Sequence, residues 1–476
     1  MFVATRRQEQ LMDRLRKRFK GRSVLVVGLG RSGLAAARQL LAAGADVSAT
    51  DMRAIDRLGA EADLLERTGV KLTLGGHPDE IFAGQDAIIV SPGVPTDLPQ
   101  LVAARGSGIE ILSEIDLAEE ALGSRTLAVT GSNGKSTTVA LAAEMLSASG
   151  FDAVPCGNIG TPFVDAVRED HDGRRYSLEL SSFQLETASA LRAACAVLLN
   201  VQPDHLDRHG SLERYRDAKW RIADLRTEGA PLVLAVDDPL VAPLARSARG
   251  PVLQVSCSTR VPAGGWLDAG ILKIDRGDGS RTLATLDELP LYGLHNVTNV
   301  LAAALAAMAV GADIDGARKA LLGFRPLAHR LQEVVRVRGI RFVDDSKATN
   351  VAAAVEAIGA LAASCEGRVH VLLGGRDKDS DFAPLARAID EVGASALTFG
   401  EAGPLIESIL TPRVATYAGT LEEAVVAAFD RADGGDVVLL APACASFDAF
   451  PGFEARGLAF ADAARMVSRS ADGGGA

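Results

Sequence analysis

Val24-Leu25-Val26-Val27-Gly28-Leu29-Gly30-Arg31-Ser32-Gly33-Leu34-Ala35-Ala36-Ala37 is a short apolar run, then spaced glycines, then an Ala/Leu-rich stretch. The run is too short for a buried helix, so it reads as a buried strand, a tight turn and a helix, the unit from which parallel α/β sheets are built. In that setting the amides of Gly28 to Gly33 and the positive end of the following helix can cradle a diphosphate. Asp51 ends the next apolar run, where a nucleotide-binding α/β fold places its ribose-binding carboxylate. Ser91-Pro92-Gly93 ends a third run and reads either as lining of the same crevice or as a plain turn.

The same alternation recurs along the chain and divides it into three expected α/β domains, 1–124, 125–324 and 325–476. The expected strands are 24–27, 47–50, 70–74 and 87–90 in the first domain. In the second they are 126–130, 177–180, 196–200 and 232–236, and in the third 340–344, 369–373, 396–399 and 437–440. Residues 251–291, Gly-rich and weakly patterned, read as a small antiparallel addition. Leu11, Leu15 and Phe19 repeat every four residues on a charged background, which predicts an amphipathic helix ahead of the first strand, and 471–476 are expected to be disordered.

With 476 residues, 48% of them apolar, the chain can bury several cores. A net charge of −11 with no long basic run argues against a dedicated nucleic-acid binder. The longest apolar run, 300–312, is shorter than the ~20 residues that span a bilayer. No membrane insertion is expected. Five widely spaced cysteines without a CxxC pair suggest neither a disulfide framework nor a thiolate metal site, so a cytoplasmic location is expected.

A second glycine loop adds a lysine: Thr130-Gly131-Ser132-Asn133-Gly134-Lys135-Ser136-Thr137-Thr138. Its ammonium can reach nucleotide phosphates while the Ser136 hydroxyl ligates Mg²⁺. Val129 stands where the general P-loop pattern has glycine. Glu179 lies inside an apolar strand, where a carboxylate is costly unless paired or metal-bound, and Asp204-His205 follow another strand at its carboxyl end. Both placements suit a metal. A dehydrogenase would need only the first glycine loop, so two phosphate cradles in one chain favour a different chemistry.

These residues resemble the ATP-dependent Mur ligases of peptidoglycan synthesis. The resemblance is carried by the run 130–138 and by Leu178-Glu179-Leu180-Ser181-Ser182-Phe183-Gln184-Leu185-Glu186. It continues in Asp204-His205-Leu206-Asp207, His295-Asn296 with Asn299, and His329-Arg330. In the third domain it rests on Asp344-Asp345-Ser346-Lys347-Ala348-Thr349-Asn350 and Pro442-Ala443-Cys444-Ala445-Ser446-Phe447. It implies a three-domain α/β enzyme: a Rossmann-like first domain, a P-loop ATPase-like second domain with a mostly parallel sheet, and a Rossmann-like third domain. It also implies ATP and two Mg²⁺ as cofactors, and a monomer. Within the family the strings are most similar to the members that join D-glutamate to UDP-N-acetylmuramoyl-L-alanine.

By the resemblance, Gly30, Arg31, Ser32, Asp51, Met52, Arg53, Ser91 and Gly93 would meet the UDP moiety, and Asn158 and Gln184 the muramoyl-alanine. Gly131, Ser132, Asn133, Gly134, Lys135, Ser136 and Thr137 would hold the ATP phosphates. Asn296 and Asn299 would lie near the adenine, and Arg330 and Asp345 would also serve ATP. Ser136 and Glu179 would bind one Mg²⁺; His205 and Lys219, the latter as a carbamate, would hold the second. Lys347, Thr349, Lys378, Ser446, Phe447 and Phe453 would receive D-glutamate. Lys135, Glu179, His205, Lys219, Arg330 and Lys347 form the implied catalytic set. Ala441 stands where the family has serine, and the loop after 373 is unusually charged. The alternatives weighed are a sister Mur ligase or folylpolyglutamate synthase, and an NAD-dependent dehydrogenase carrying a P-loop module.

Overall fold

The computed structural model describes residues 6–118, 122, 125–410 and 415–473. Three sheets carry the described chain, and contacts divide it into two compact units. The first is 1–201, 213–286 and 299–321; the second is 202–212, 287–298 and 322–476.

The first unit holds two sheets. One is a five-stranded parallel sheet in the spatial order Lys71–Leu74, Asp46–Asp51, Ser23–Val27, Ala87–Val90, Glu110–Ser113. Chain order reverses at Ser23–Val27, so the crevice at that strand's carboxyl end is the topological switch point where such sheets bind ligands. The helix Arg6–Phe19 buries Leu11, Leu15 and Phe19, as its four-residue spacing requires. The other sheet has nine strands, with Thr126–Thr130 between Arg174–Glu179 and Cys195–Leu198. Within 251–291, Val252–Ser256 and Gly264–Asp268 extend this sheet in parallel, and only Ile271–Asp275 and Arg281–Thr285 turn antiparallel. The expected antiparallel addition is therefore the rim of the main sheet.

The second unit is built on a six-stranded sheet. Gln332–Val337 and Ile340–Asp344 form an antiparallel hairpin; Val437–Ala443, Val369–Gly374, Ser395–Phe399 and Ala415–Gly419 follow in parallel. Val437 and Leu439 face one core with Ile358 and Leu385, while Val438 and Leu440 face the other with Val425 and Phe460. Burial on both faces is why this strand reads as an unbroken apolar run. The last helix, Phe453–Gly473, lays Phe460, Ala463, Ala464 and Val467 against the second core. It carries 471–473 as helix where disorder was expected, and 474–476 lie outside the described residues.

Four strands escaped the sequence patterns: Glu110–Ser113, Asp152–Gly157, Gln332–Val337 and Ala415–Gly419. Each is the edge strand of its sheet. Edge strands tolerate polar or proline residues, as Pro155 shows here, because they have a free side to leave unpaired.

Candidate functional site

The first glycine turn is set by contacts that no side chain could share. Gly28 has φ +88°, and a Cβ there would meet Val94 and Ser91; a Cβ on Gly33 would overlap the Gly28 carbonyl, so the helix Arg31–Ala42 packs directly on the turn. Ser91 Oγ donates to Gly28 O at 2.6 Å, which ties the end of Ala87–Val90 to the loop. Asp51 Oδ2 accepts from the Leu29 amide at 2.7 Å, and Arg53 grips the same carboxylate through Nε at 2.9 Å and Nη2 at 2.8 Å. Burial works to raise the Asp51 carboxyl, but Arg53 and the two backbone amides outweigh it and pull it down to about 2. Gly30, Arg31, Ser32, Met52, Gly93 and His77 complete a cleft of about 420 Å³. All eight expected nucleotide-contact residues line it, and Met52 stands 66% exposed at its mouth.

Asn158 and Gln184 lie in the same unit. Gln184 completes a capping box with Ser181 and donates through Nε2 to Glu114 Oε1 at 2.9 Å. Glu114 is buried, and that burial pushes its carboxyl up. Nothing in the local pattern around Glu114 signalled this partnership.

The second glycine loop joins Thr126–Thr130 to the helix Lys135–Ala148. Gly134 caps that helix at φ +81°, and a Cβ on it would strike Asn299 Oδ1, which also accepts from Thr138. The loop is clamped from the neighbouring strand's end: the Asn133 amide donates to Asn200 Oδ1 at 2.8 Å, and Asn200 Nδ2 returns a bond to Asn133 O at 3.2 Å. Lys135 Nζ donates to Gly131 O and Ser132 O at 2.8 Å. Lys219, 1% exposed, donates to the same Gly131 O at 2.8 Å and sits 4.3 Å above the Tyr215 ring. Two lysine nitrogens thus share one carbonyl of the glycine loop.

Glu179, 2% exposed, accepts from Asn158 Nδ2 at 2.7 Å through Oε1. Its Oε2 is buried without a hydrogen-bond partner among the described residues. A buried carboxylate oxygen left open fits a hard cation. No cluster of three or more His, Cys, Asp or Glu occurs among the described residues. Mg²⁺ needs no such cluster, since it takes one or two carboxylates and completes its shell with phosphate and water.

The second unit places Asp345, Lys347, Lys378 and Ser446 in the loops that follow three adjacent strands, Ile340–Asp344, Val369–Gly374 and Val437–Ala443. Lys347 Nζ lies 3.8 Å from the centroid of the Phe453 ring. Lys378 Nζ donates to Asp204 Oδ1 at 3.1 Å, and Asn350, the N-cap of Val351–Ala362, donates to Asp204 Oδ2 at 3.2 Å. Burial works to raise the Asp204 carboxyl, but Lys378 and His205 outweigh it. His205, held left-handed at φ 54°, therefore stands beside a residue expected at the amino-acid site. Asp345 is pushed up to about 7, chiefly by burial and against the Arg330 charge. His295 is brought down to about 4 by burial and by Arg330. Asn296 donates to Tyr292 O. Ser446 is buried and Phe447 is 64% exposed. Thr349 follows Lys347 in the loop that Asn350 closes. Lys219 and Glu179 belong to the first unit and His205, Arg330 and Lys347 to the second.

Comparison with known proteins identifies the family of the chain. Residues 22–113 match the model of the Mur ligase MurD-like N-terminal domain, 129–307 the Mur ligase middle domain, and 329–444 the Mur ligase glutamate ligase domain. The UDP-N-acetylmuramoylalanine--D-glutamate ligase of Acidobacterium capsulatum is 42% identical over 446 residues, 93% of this chain and 96% of that protein. Among solved structures, MurF from Acinetobacter baumannii superposes with a TM-score of 0.59 at 18% identity, covering 95% of this chain and 92% of its own. A pseudomurein peptide ligase type C from Methanothermus fervidus gives 0.58 at 20%, covering 88% and 96%. Those two likenesses speak to the fold, and no helix among the described residues is long and apolar enough to cross a membrane. Because three family models match in chain order and a relative at 42% identity runs nearly end to end, the chain belongs to the Mur ligase family.

Proposed function

We propose that this Mur ligase uses ATP to join D-glutamate to UDP-N-acetylmuramoyl-L-alanine, acting as a monomer in the cytoplasm. The observation that carries the reading is the 42% identity to a D-glutamate ligase along 93% of the chain. The chain also contains every string singled out in sequence, from the two glycine loops to Ser446 and Phe447. Domains 1–124, 125–324 and 325–476 would take the UDP moiety, ATP and the amino acid in turn.

The L-alanyl carboxylate attacks the γ-phosphorus, ADP leaves, and an acyl phosphate forms. The D-glutamate amine then adds to the acyl carbon, and the tetrahedral adduct expels phosphate as the nitrogen loses its proton. The main physical obstacle is bringing anions together, so the work falls to fixed cations. Lys135 would neutralise charge on the transferring phosphoryl group, with Arg330 and Lys347 closing on it. Asp51 and Arg53 would orient the nucleotide, while Asn158 and Gln184 hold the acceptor. Ser136 and Glu179 would hold one Mg²⁺, and His205 with a carbamylated Lys219 the second; such ions screen phosphate charge during transfer.

Phosphate release from ATP with UDP-N-acetylmuramoyl-L-alanine and a panel of L- and D-amino acids tests the reading. Release is expected with D-glutamate. Release with another amino acid and not with D-glutamate would assign a sister activity, and NADH binding in place of UDP-sugar binding would refute the first cleft.

A further inference from the structure

Arg456 is fully buried on the core-facing stripe of the last helix, one turn before Phe460. Its side chain reaches three separate loops. Nε donates to Ser346 Oγ at 3.0 Å, Nη2 to Ser346 O at 2.9 Å, and Nη1 to Cys444 O at 3.1 Å and Gly374 O at 3.4 Å. Each anchored residue is close in sequence to one expected at the amino-acid site: Ser346 precedes Lys347, Gly374 leads into the loop of Lys378, and Cys444 is two before Ser446. Ser346 Oγ also donates to Phe453 O at 2.9 Å, so the start of the same helix joins the knot. The loop glycines are shaped around it, since a Cβ on Gly375 would come 2.9 Å from Arg456 Nη1.

Stability alone does not explain this residue. None of the hydrogen bonds drawn from its side chain goes to a carboxylate; Asp344 and Asp448 favour its charge only from a distance, and a buried charge held this way is commonly matched or bettered by a well-packed apolar side chain. Burial pulls its pKa down to about 10 and leaves it charged at neutral pH. A planar fork with five donors is the one side chain able to hold three backbone segments in fixed relation. Lysine's three donors radiate from a single nitrogen and cannot span them.

We propose that Arg456 is the positioning residue of the amino-acid site, fixing the loops of Lys347, Lys378 and Ser446 relative to one another so that they accept a dicarboxylic amino acid. The proposal rests on the reading of those loops as the D-glutamate site. A constellation held by one rigid clamp loses recognition when a loop shifts by a fraction of an ångström.

The test is steady-state kinetics of Arg456→Lys, Arg456→Met and Ser346→Ala in the full chain, varying each substrate in turn, with thermal melts confirming a folded state. Expected for Arg456→Lys is a rise in KM for D-glutamate of roughly tenfold or more, with KM for ATP and for the UDP-substrate within about threefold. Preference for D-glutamate over D-aspartate should fall. Ser346→Ala should raise KM for D-glutamate several-fold, and Arg456→Lys should cost less in that background because the two share a bond. Equal rises in all three KM values, or an unchanged KM for D-glutamate, would overturn the proposal. If Arg456→Lys does not fold, Ser346→Ala decides by the same criterion. Lys378→Ala separates the two levels: if it leaves KM for D-glutamate unchanged, the site reading fails and takes the proposal with it. If it raises that KM while Arg456→Lys does not, only the clamp fails.

Discussion

Replacing Glu179 with Gln should make the metal-free protein more stable and the enzyme nearly inactive. Glu179 is 2% exposed; one oxygen is bonded to Asn158 and the other is buried without a partner among the described residues. Leaving a buried acceptor unsatisfied costs roughly 1–3 kcal/mol, more when it is charged. The Glu179→Gln side chain would keep the shape and the oxygen facing Asn158 while trading an open charged oxygen for an open neutral amide nitrogen, so the expected gain is only the excess cost of the charge, about 1 kcal/mol. For a domain of this size that corresponds to roughly 2–4 °C in melting temperature. The two tryptophans, Trp220 and Trp266, both belong to the first unit, so their fluorescence reports its unfolding without interference from the second. Mg²⁺ with ADP should raise the wild-type transition by mass action and move the variant less. Phosphate release should drop by about 10² or more, the scale for losing one preorganised electrostatic group. A variant that melts below wild type without metal, or one that turns over within a few-fold of it, would refute the assignment of Glu179 as an ion ligand.

Lys135→Ala should retain the fold and lose roughly 10²–10³ in kcat; activity within a few-fold of wild type would remove the second glycine loop from catalysis. Lys219→Ala should be nearly inactive and partly restored by short carboxylic acids that supply the missing oxygens, while Lys219→Arg should be inactive without rescue. Wild-type turnover of Lys219→Ala would exclude the carbamate. His295 titrates low in the folded state, at about 4, so the folded protein resists protonating it, and stability is lost as pH falls from 6.5 toward 4. Between pH 7.5 and 4.5 this group should cost wild type about 2–3 kcal/mol that His295→Gln does not lose, read from urea titrations at the two pH values.

What was legible in the sequence follows a physical rule. Interior strands such as Val437–Ala443 announce themselves because both faces are buried, and the two glycine loops do so because only glycine allows Gly28 and Gly134 their backbone geometry. Four edge strands were missed because their polar sides obey no simple period, although the edge strand Lys71–Leu74 was legible. Site residues lying inside the glycine loops and the family-like strings were readable as chemistry. Residues acting across long sequence separations were not. Arg456 sits 110 residues from Ser346, Glu114 is 70 from Gln184, and Asn200 is 67 from Asn133. The only local trace of Arg456 is an arginine in line with Phe460, Ala463, Ala464 and Val467 on an otherwise apolar helix face, a charge in the wrong stripe unless something buried requires it.

Backbone strain marks the same places. Seven non-glycine residues among those described have positive φ. Ala269 and Arg338 form hairpin tips with the glycines that follow them, where such angles match the strand twist. The other five flank candidate site residues. His205 is one itself, His329 and Leu331 bracket Arg330, Asp379 follows Lys378, and Ala443 opens the turn to Ser446. Each left-handed residue costs roughly 1–2 kcal/mol, so the five together approach the whole net stability of an ordinary domain, about 5–15 kcal/mol. Such a sum persists only where surrounding contacts over-determine the conformation. Here those contacts are visible. His329 is pinned by Asp344 at 2.6 Å, Asp204 holds both Lys378 and Asn350, and Arg456 binds the Cys444 carbonyl beside Ala443. These contacts fix the candidate site loops of the second unit in one arrangement. That preorganisation is what neutralising a short-lived acyl phosphate demands, because donors that had to reorganise at the moment of reaction would give back most of their electrostatic advantage.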